Sequence, residues 1–261
     1  MCTFVYILLE NELKMKEKLS CFFPISDITH QITKLDLLEV ETGKILGKGE
    51  FGKVMEVTSI SLSSQFTLSD NIRLQQARIF MGEHYLREND DLRYAMKMIR
   101  GDVIQRYFAA DENSNGNIFD VLAIEVKLLR MISHPNIIKL RATSYAEPNS
   151  KGFFIIIDRL NEILTDRIYY DWRNRLKRLR MKGFLSQFRK KKIIEADSLL
   201  CEQLLVAKDL SSAMGYLHDK KIVYRDLKPG QFDLKYFHDT EMSVLKSNFF
   251  LMNSVVRQYW I

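Results

Sequence analysis

Three glycines set between two apolar runs constrain this chain more than any other feature. Gly47-Lys48-Gly49-Glu50-Phe51-Gly52-Lys53-Val54 follows a run that ends at Ile45-Leu46. A G-x-G-x-x-G loop that serves a dinucleotide runs on into a helix. Here Val54-Met55-Glu56-Val57-Thr58 comes next instead, alternating and β-branched, which predicts a second strand. Two strands joined by such a turn make a hairpin. Because no side chain shields its amides, the backbone can approach phosphates closely. Taken alone, the pattern fits a bare hairpin turn as well as a lid over a nucleotide.

Two charged residues further on sit where charge is costly. Ser59 to Asp91 reads as an insertion with a polar stretch and then a helix from about Ile72 to Arg87, capped by Asp70. Arg93-Tyr94-Ala95-Met96-Lys97-Met98-Ile99 then has a strand pattern, with Ala95, Lys97 and Ile99 on one face. A lysine in an apolar strand ordinarily snorkels to solvent; the alternative is an anionic partner. Twenty-eight residues on, Ile118, Val121, Leu122, Leu128, Leu129 and Ile132 fall at helical spacing with Glu125 in the middle of the stripe. A carboxylate on a core-facing stripe needs a cation. The helix stops before His134-Pro135, and Phe153 to Ile157 reads as a buried strand opening into Asp158-Arg159-Leu160.

Charge and cysteine content narrow the function classes. The net charge of +6 is local: residues 173–192 hold ten basic side chains and no acidic one, which leaves the remainder slightly acidic. DNA binding through a basic surface is therefore not expected. The tract interleaves charge with Leu176, Leu179, Phe184 and Phe188, so it reads as a solvated insertion or, less simply, as a contact for a weak anionic partner such as RNA or phospholipid. Leu164, Ile168 and Trp172 mark a short helix before it. A longer helix, Asp197 to His218, comes after it with a wide apolar face. Cys2, Cys21 and Cys201 make no Cys-x-x-Cys pair, which predicts neither a disulfide framework nor a zinc site and favours a reducing compartment. The apolar opening, Met1 to Leu9, is too short to span a membrane. The expectation is a soluble protein of the cytoplasm or nucleus.

After that helix stands Tyr224-Arg225-Asp226-Leu227-Lys228-Pro229, which resembles the catalytic loop of eukaryotic-type protein kinases. The other segments keep that family's order: glycine loop, Ala95-x-Lys97, helical Glu125, His134-Pro135-Asn136, a strand entering a hinge, and Tyr216-Leu217-His218. The resemblance covers roughly Leu38 to Pro229, and Lys228 is similar to the serine/threonine type. It implies an α+β, two-lobed fold with a β-rich smaller lobe at 38–157 and a helical larger lobe from 158 to 230. It also implies ATP and Mg2+ as cofactors and a protein hydroxyl as acceptor. By resemblance Gly47, Gly49 and Gly52 lie over the phosphates, and Leu46, Val54 and Ala95 form the adenine slot. Lys97 holds the α and β phosphates and is itself held by Glu125. Ile157 is the gatekeeper, and backbone groups of Asp158 and Leu160 meet the adenine edge. Asp226 accepts the substrate proton, Lys228 steadies the transferring group, and Arg225 grips an activation-loop phosphate.

The resemblance breaks after Pro229. The family continues K-P-E-N, whereas this chain has Lys228-Pro229-Gly230-Gln231. No glycine occurs after Gly230 and no proline after Pro229, so neither Asp-Phe-Gly nor Ala-Pro-Glu is present and no metal ligand is assigned. Magnesium neutralises the charge that develops in phosphoryl transfer, so the chain as written is expected to be inactive. Residues 231–261 show no clear period and read as a tail foreign to the family, beyond an N-terminal extension at 1–37. Three readings remain: a serine/threonine kinase represented by an incomplete domain, a non-catalytic pseudokinase-like module that binds nucleotide or a partner, and an RNA-contacting protein built around 173–192. The abrupt break reads as a retained intron, with GGT at codon 230.

Overall fold

The computed structural model describes residues 32–49, 51–63, 71–87, 91–109, 120–147, 150, 152–180, 187–222, 224, 227–237 and 244–249. Two compact units emerge, Met1–Ser133 with Lys139–Arg159 and His134–Ile138 with Leu160–Ile261.

The first unit is built on a six-stranded sheet. Its strands are β1 (Thr33–Leu35), β2 (Val40–Lys48), β3 (Gly52–Ile60), β4 (Tyr94–Ile99), β5 (Leu140–Ser144) and β6 (Phe154–Asp158), in the order β1-β5-β6-β4-β3-β2. Only β1 beside β5 is a parallel pair. The strands expected around Val54, Lys97 and Ile155 are all present. β1 falls in the N-terminal extension, where three residues are too few for an alternation to show. Leu35, Val57, Tyr94, Met96, Phe154 and Ile156 fill the core on one face of the sheet. Hydrophobic burial of this kind is worth roughly 1.5–3 kcal/mol per large side chain.

Helix α1 (Ile72–Glu83) corrects the expectation for the insertion in two ways. Its cap is Asn71, whose side chain accepts from the Arg73 N–H, and not Asp70. It also ends at Glu83, four residues short of Arg87. Beyond Glu83 the chain is already drawn into extended pairing: the Tyr85 carbonyl accepts from the Arg93 N–H at 2.8 Å, and Leu86 bridges Leu92. Met81 joins the core cluster from this helix. Helices α2 (Gly101–Ala109) and α3 (Asp120–Met131) come after β4. Of the expected apolar stripe Leu122, Leu128, Leu129 and, just past α3, Ile132 are buried, and Val126 is buried with them. Ile118 lies outside the described residues.

In the second unit, β7 (Glu162–Ile163) leads into α4 (Leu164–Asp166), a π-helical stretch Arg167–Trp172, and α5 (Arg173–Arg180). Next comes α6 (Gln187–Asp219), ten residues longer at its start than expected. Its first turns lie in the basic tract, where Arg and Lys are good helix formers and nothing breaks the helix. Leu199, Val206, Ala213 and Leu217 are buried on it, while Leu200 and Leu204 remain 54% and 58% exposed. The wide apolar face is thus only partly covered among the described residues. The helix ends in a two-bond cap: Lys221 N–H donates to His218 O and Ile222 N–H to Leu217 O, both at 2.8 Å. Lys221 takes the left-handed conformation, φ 59°, that such caps usually give to glycine.

Part of the segment after Pro229, which shows no clear period in the sequence, is regular. Phe232–Phe237 (β8) and Val244–Phe249 (β9) pair antiparallel, and β8 also pairs with β7, giving a sheet β7-β8-β9. Phe-Asp-Leu-Lys-Tyr-Phe and Val-Leu-Lys-Ser-Asn-Phe are short and mix polar with apolar residues. Pairing here is a backbone property, and six residues carry too weak an alternation to announce it.

Candidate functional site

Strand register gathers six of the candidate residues on one face of the sheet. Gly47 lies opposite Val54, Val54 opposite Lys97, and Ala95 opposite Ile157. Directly paired residues point to the same side. Gly47, Gly52, Val54, Ala95, Lys97 and Ile157 therefore share the face opposite the core cluster, with Val54, Ala95, Lys97 and Ile157 all buried. Leu46 is half-buried in β2 where the pairing slips between Ile45 and Gly47. Gly49 closes the hairpin, its N–H donating to the Gly52 carbonyl at 2.8 Å. A Cβ on Gly52 would stand 3.5 Å from Cε of Lys97, so the bare backbone of Gly52 borders the lysine stem.

Lys97 does not snorkel. Its Nζ lies 2.5 Å from Oε2 of Glu125 on α3, and both side chains are largely withdrawn from water. A buried ion pair of this kind gives little net stability, but losing either partner leaves an uncompensated charge. Its value is positional: the lysine ammonium is held at the sheet face and not in solvent.

Next to this face, β6 runs into the segment expected to serve as hinge. The Asp158 N–H already donates to the Lys139 carbonyl at 3.4 Å, and its carboxylate is gripped by Arg141, with Nε at 2.6 Å and Nη2 at 3.0 Å. Arg159 N–H donates to Arg93 O, and the Arg159 carbonyl accepts from Arg87 Nη2 at 2.5 Å. The end of the insertion thus holds the backbone just before Leu160, a link that spacing alone could not reveal. Burial lowers the Arg87 pKa, and Asp158 and Asp91 oppose that shift. Leu160 belongs to the second unit and is half-buried.

The remaining candidates lie in the second unit. Tyr224 is buried, Lys228 is exposed, and Pro229–Gln231 forms a short 3-10 turn. Arg225 and Asp226 lie outside the described residues. His134 has a clear local role. Its Nδ1 accepts the Asn136 N–H at 3.1 Å, which leaves the Nε2 proton to face Ser212 Oγ at 3.2 Å, and its ring packs against Tyr216. Burial pushes the His134 pKa down, against a smaller upward pull from Asp209. The His-Pro-Asn motif is therefore a staple onto α6.

The basic tract divides by direction. Arg175 donates to Glu202 at 2.5 Å, and Arg178 reaches Glu195 at 3.4 Å. Arg173, Lys177 and Arg180 are exposed, as are Tyr169 and Tyr170 at 57% and 73%. Two of the five basic side chains of α5 are thus paired with acids of α6, which an acid-free tract could not show.

For adenine nucleotide the residues fit: a glycine hairpin, a buried lysine fixed by a carboxylate, and an apolar strand face adjoin one another. For magnesium they do not. Gln231 stands where the family has asparagine, and no Asp-Phe-Gly occurs between it and residue 261. The family model for protein tyrosine and serine/threonine kinases matches residues 40–229, well over half the chain. The chain belongs to that family, and its α+β, two-lobed fold is that of a protein kinase catalytic domain. A comparison with curated proteins gave no match. No helix among the described residues is long and apolar enough to cross a membrane.

Proposed function

We propose that this chain is a protein kinase domain of the serine/threonine type that binds ATP and, as its sequence stands, does not transfer the γ-phosphoryl group. The observation that carries the reading is the Lys97–Glu125 pair, buried on the same sheet face as Gly52, Val54 and Ala95. A lysine held there suits the α and β phosphates, with Gly47, Gly49 and Gly52 above them. Leu46, Val54 and Ala95 suit the adenine ring, and Asp158 and Leu160 its edge. Of the Asp158 backbone groups, the N–H already serves Lys139, so the carbonyl is the one assigned to the adenine. The serine/threonine assignment rests on Lys228, two residues after Asp226.

Calorimetric titration of the full chain with ATP should show binding, and Lys97→Ala should weaken it about tenfold, the scale of one hydrogen bond to a charged group. Equal affinity in the variant, or no binding by a folded sample, would overturn the reading. With radiolabelled ATP and a basic protein substrate, no transfer is expected, because both metal-binding side chains of the family are missing. Turnover abolished by Asp226→Asn would contradict that. The alternative is a pseudokinase-like module with a partner of its own. It is favoured by the ordered pairing of β7, β8 and β9, which gives residues after 229 a place in the fold. A transcript that restores Asp-Phe-Gly after Pro229 would decide for the kinase.

A further inference from the structure

The glycine hairpin is held from outside by one side chain. Arg100 stands just after β4, and its backbone N–H donates to the Phe51 carbonyl at 2.9 Å. Its Nη1 donates to the Gly49 carbonyl at 2.8 Å. The other edge of the same guanidinium is gripped by Asp102, with Nε 3.0 Å from Oδ1 and Nη2 2.5 Å from Oδ2. A planar fork engaged on both edges has little freedom left, which a lysine could not reproduce.

The grip changes how the hairpin bonds to itself. Only residues 50 and 51 separate Gly49 from Gly52, and residues that close so short a loop ordinarily exchange two bonds. Here Gly49 N–H donates to Gly52 O, but the return bond is not made among the described residues: the Gly49 carbonyl goes to Arg100 instead. The Gly52 N–H therefore makes no bond across the hairpin to Gly49. Gly52 also borders the Lys97 stem, so its amide and the lysine belong to one patch. An amide N–H beside an ammonium is a donor set for a phosphate oxygen.

We propose that Arg100, oriented by Asp102, is a positioning residue of the phosphate-binding loop, which keeps the Gly52 amide available to a nucleoside di- or triphosphate by taking the Gly49 carbonyl. The proposal rests on the nucleotide reading above. Arg100→Ala lets Gly52 N–H close onto Gly49, while Arg100→Lys keeps one donor but loses the fork to Asp102.

The test titrates the full chain and both variants with ATP, ADP and adenosine. Arg100→Ala should lose about tenfold in affinity for ATP and ADP and nothing for adenosine, with Arg100→Lys in between. General destabilisation would lower all three alike. Hydrogen exchange gives a second arm that needs no nucleotide: the Gly52 amide should exchange more slowly in Arg100→Ala than in the parent. If the parent binds ATP in a Lys97-dependent way but the ATP-to-adenosine ratio or the Gly52 exchange rate is unchanged in Arg100→Ala, the positioning role is wrong and the nucleotide reading stands. If the parent binds no nucleotide, both fall.

Discussion

Replacing Glu39 by Ala is expected to destabilise the six-stranded unit by about 3–5 kcal/mol, the scale of breaking a buried ion pair from one side. Glu39 is among the most deeply buried side chains, and Arg78 of α1 donates to its Oε1. The carboxylate also accepts from the Asp36 N–H at 2.8 Å and the Ser63 N–H at 2.7 Å. Arg78 in turn donates to the Lys34 carbonyl at 2.8 Å and lies over the Tyr145 ring. One ion pair thus joins β1, the turn before β2, the segment just after β3 and α1. Without Glu39 the guanidinium stays buried with no counter-charge. Chemical unfolding followed by circular dichroism, with hydrogen exchange on α1, measures the loss. Arg78→Met should be similarly costly, whereas Glu39→Leu combined with Arg78→Met should recover much of the stability, since an apolar pair replaces a desolvated one. A single-variant loss below about 1 kcal/mol, the level of a surface pair, would show that the pair does not anchor α1.

Glu202→Ala should destabilise the second unit by about 2–3 kcal/mol, for a related reason. Glu202 accepts from Trp172 Nε1 at 2.9 Å, Arg167 Nε at 2.7 Å and Arg175 Nη1 at 2.5 Å. The π-helical stretch makes this possible: widening the turn brings Arg167 and Trp172, five residues apart, toward the same carboxylate. Asp171 stays within 3.4 Å of both arginines and softens the loss. Burial alone would raise the Glu202 pKa, but the bonds from Trp172, Arg167 and Arg175 outweigh it and hold the carboxyl below its ordinary value. A folded pKa below the unfolded one means that the unfolded chain binds the proton first as pH drops. The contribution is therefore complete above the ordinary glutamate pKa, about 4.3, and is lost as pH falls through the depressed folded value. Glu202→Gln should remove that acid dependence, and melting temperatures followed from pH 7 down to about pH 2 read it out. An unchanged acid profile in Glu202→Gln would place the titrating group elsewhere.

Much of the site is legible in the sequence because its signals are local or ordered along the chain. Gly47, Gly49 and Gly52 stand at fixed spacing, Lys97 lies in a strand pattern, and Glu125 breaks an apolar stripe where only a counter-charge explains it. Strand and helix identities around them come from periods of two and 3.6. The ends of elements are less legible. Asn71 competes with Asp70 for the cap of α1, and the start of α6 lies among residues that suit helix and solvated loop alike.

The sequence by itself determined the family, the strands around Val54, Lys97 and Ile155, the place of Lys97 and Glu125, and the departure from the family's K-P-E-N pattern after Pro229. These depend on residue identity and short-range spacing. Tertiary structure alone decided that Lys97 is buried and not snorkelling, that Arg100 takes the Gly49 carbonyl, that Arg78 seeks out Glu39, and that Arg175 turns inward to Glu202. A guanidinium or ammonium reads the same in a sequence whether it faces water or a carboxylate. Its partner is chosen by which distant segment the fold brings within about 3 Å, and by the cost of leaving either charge buried without the other.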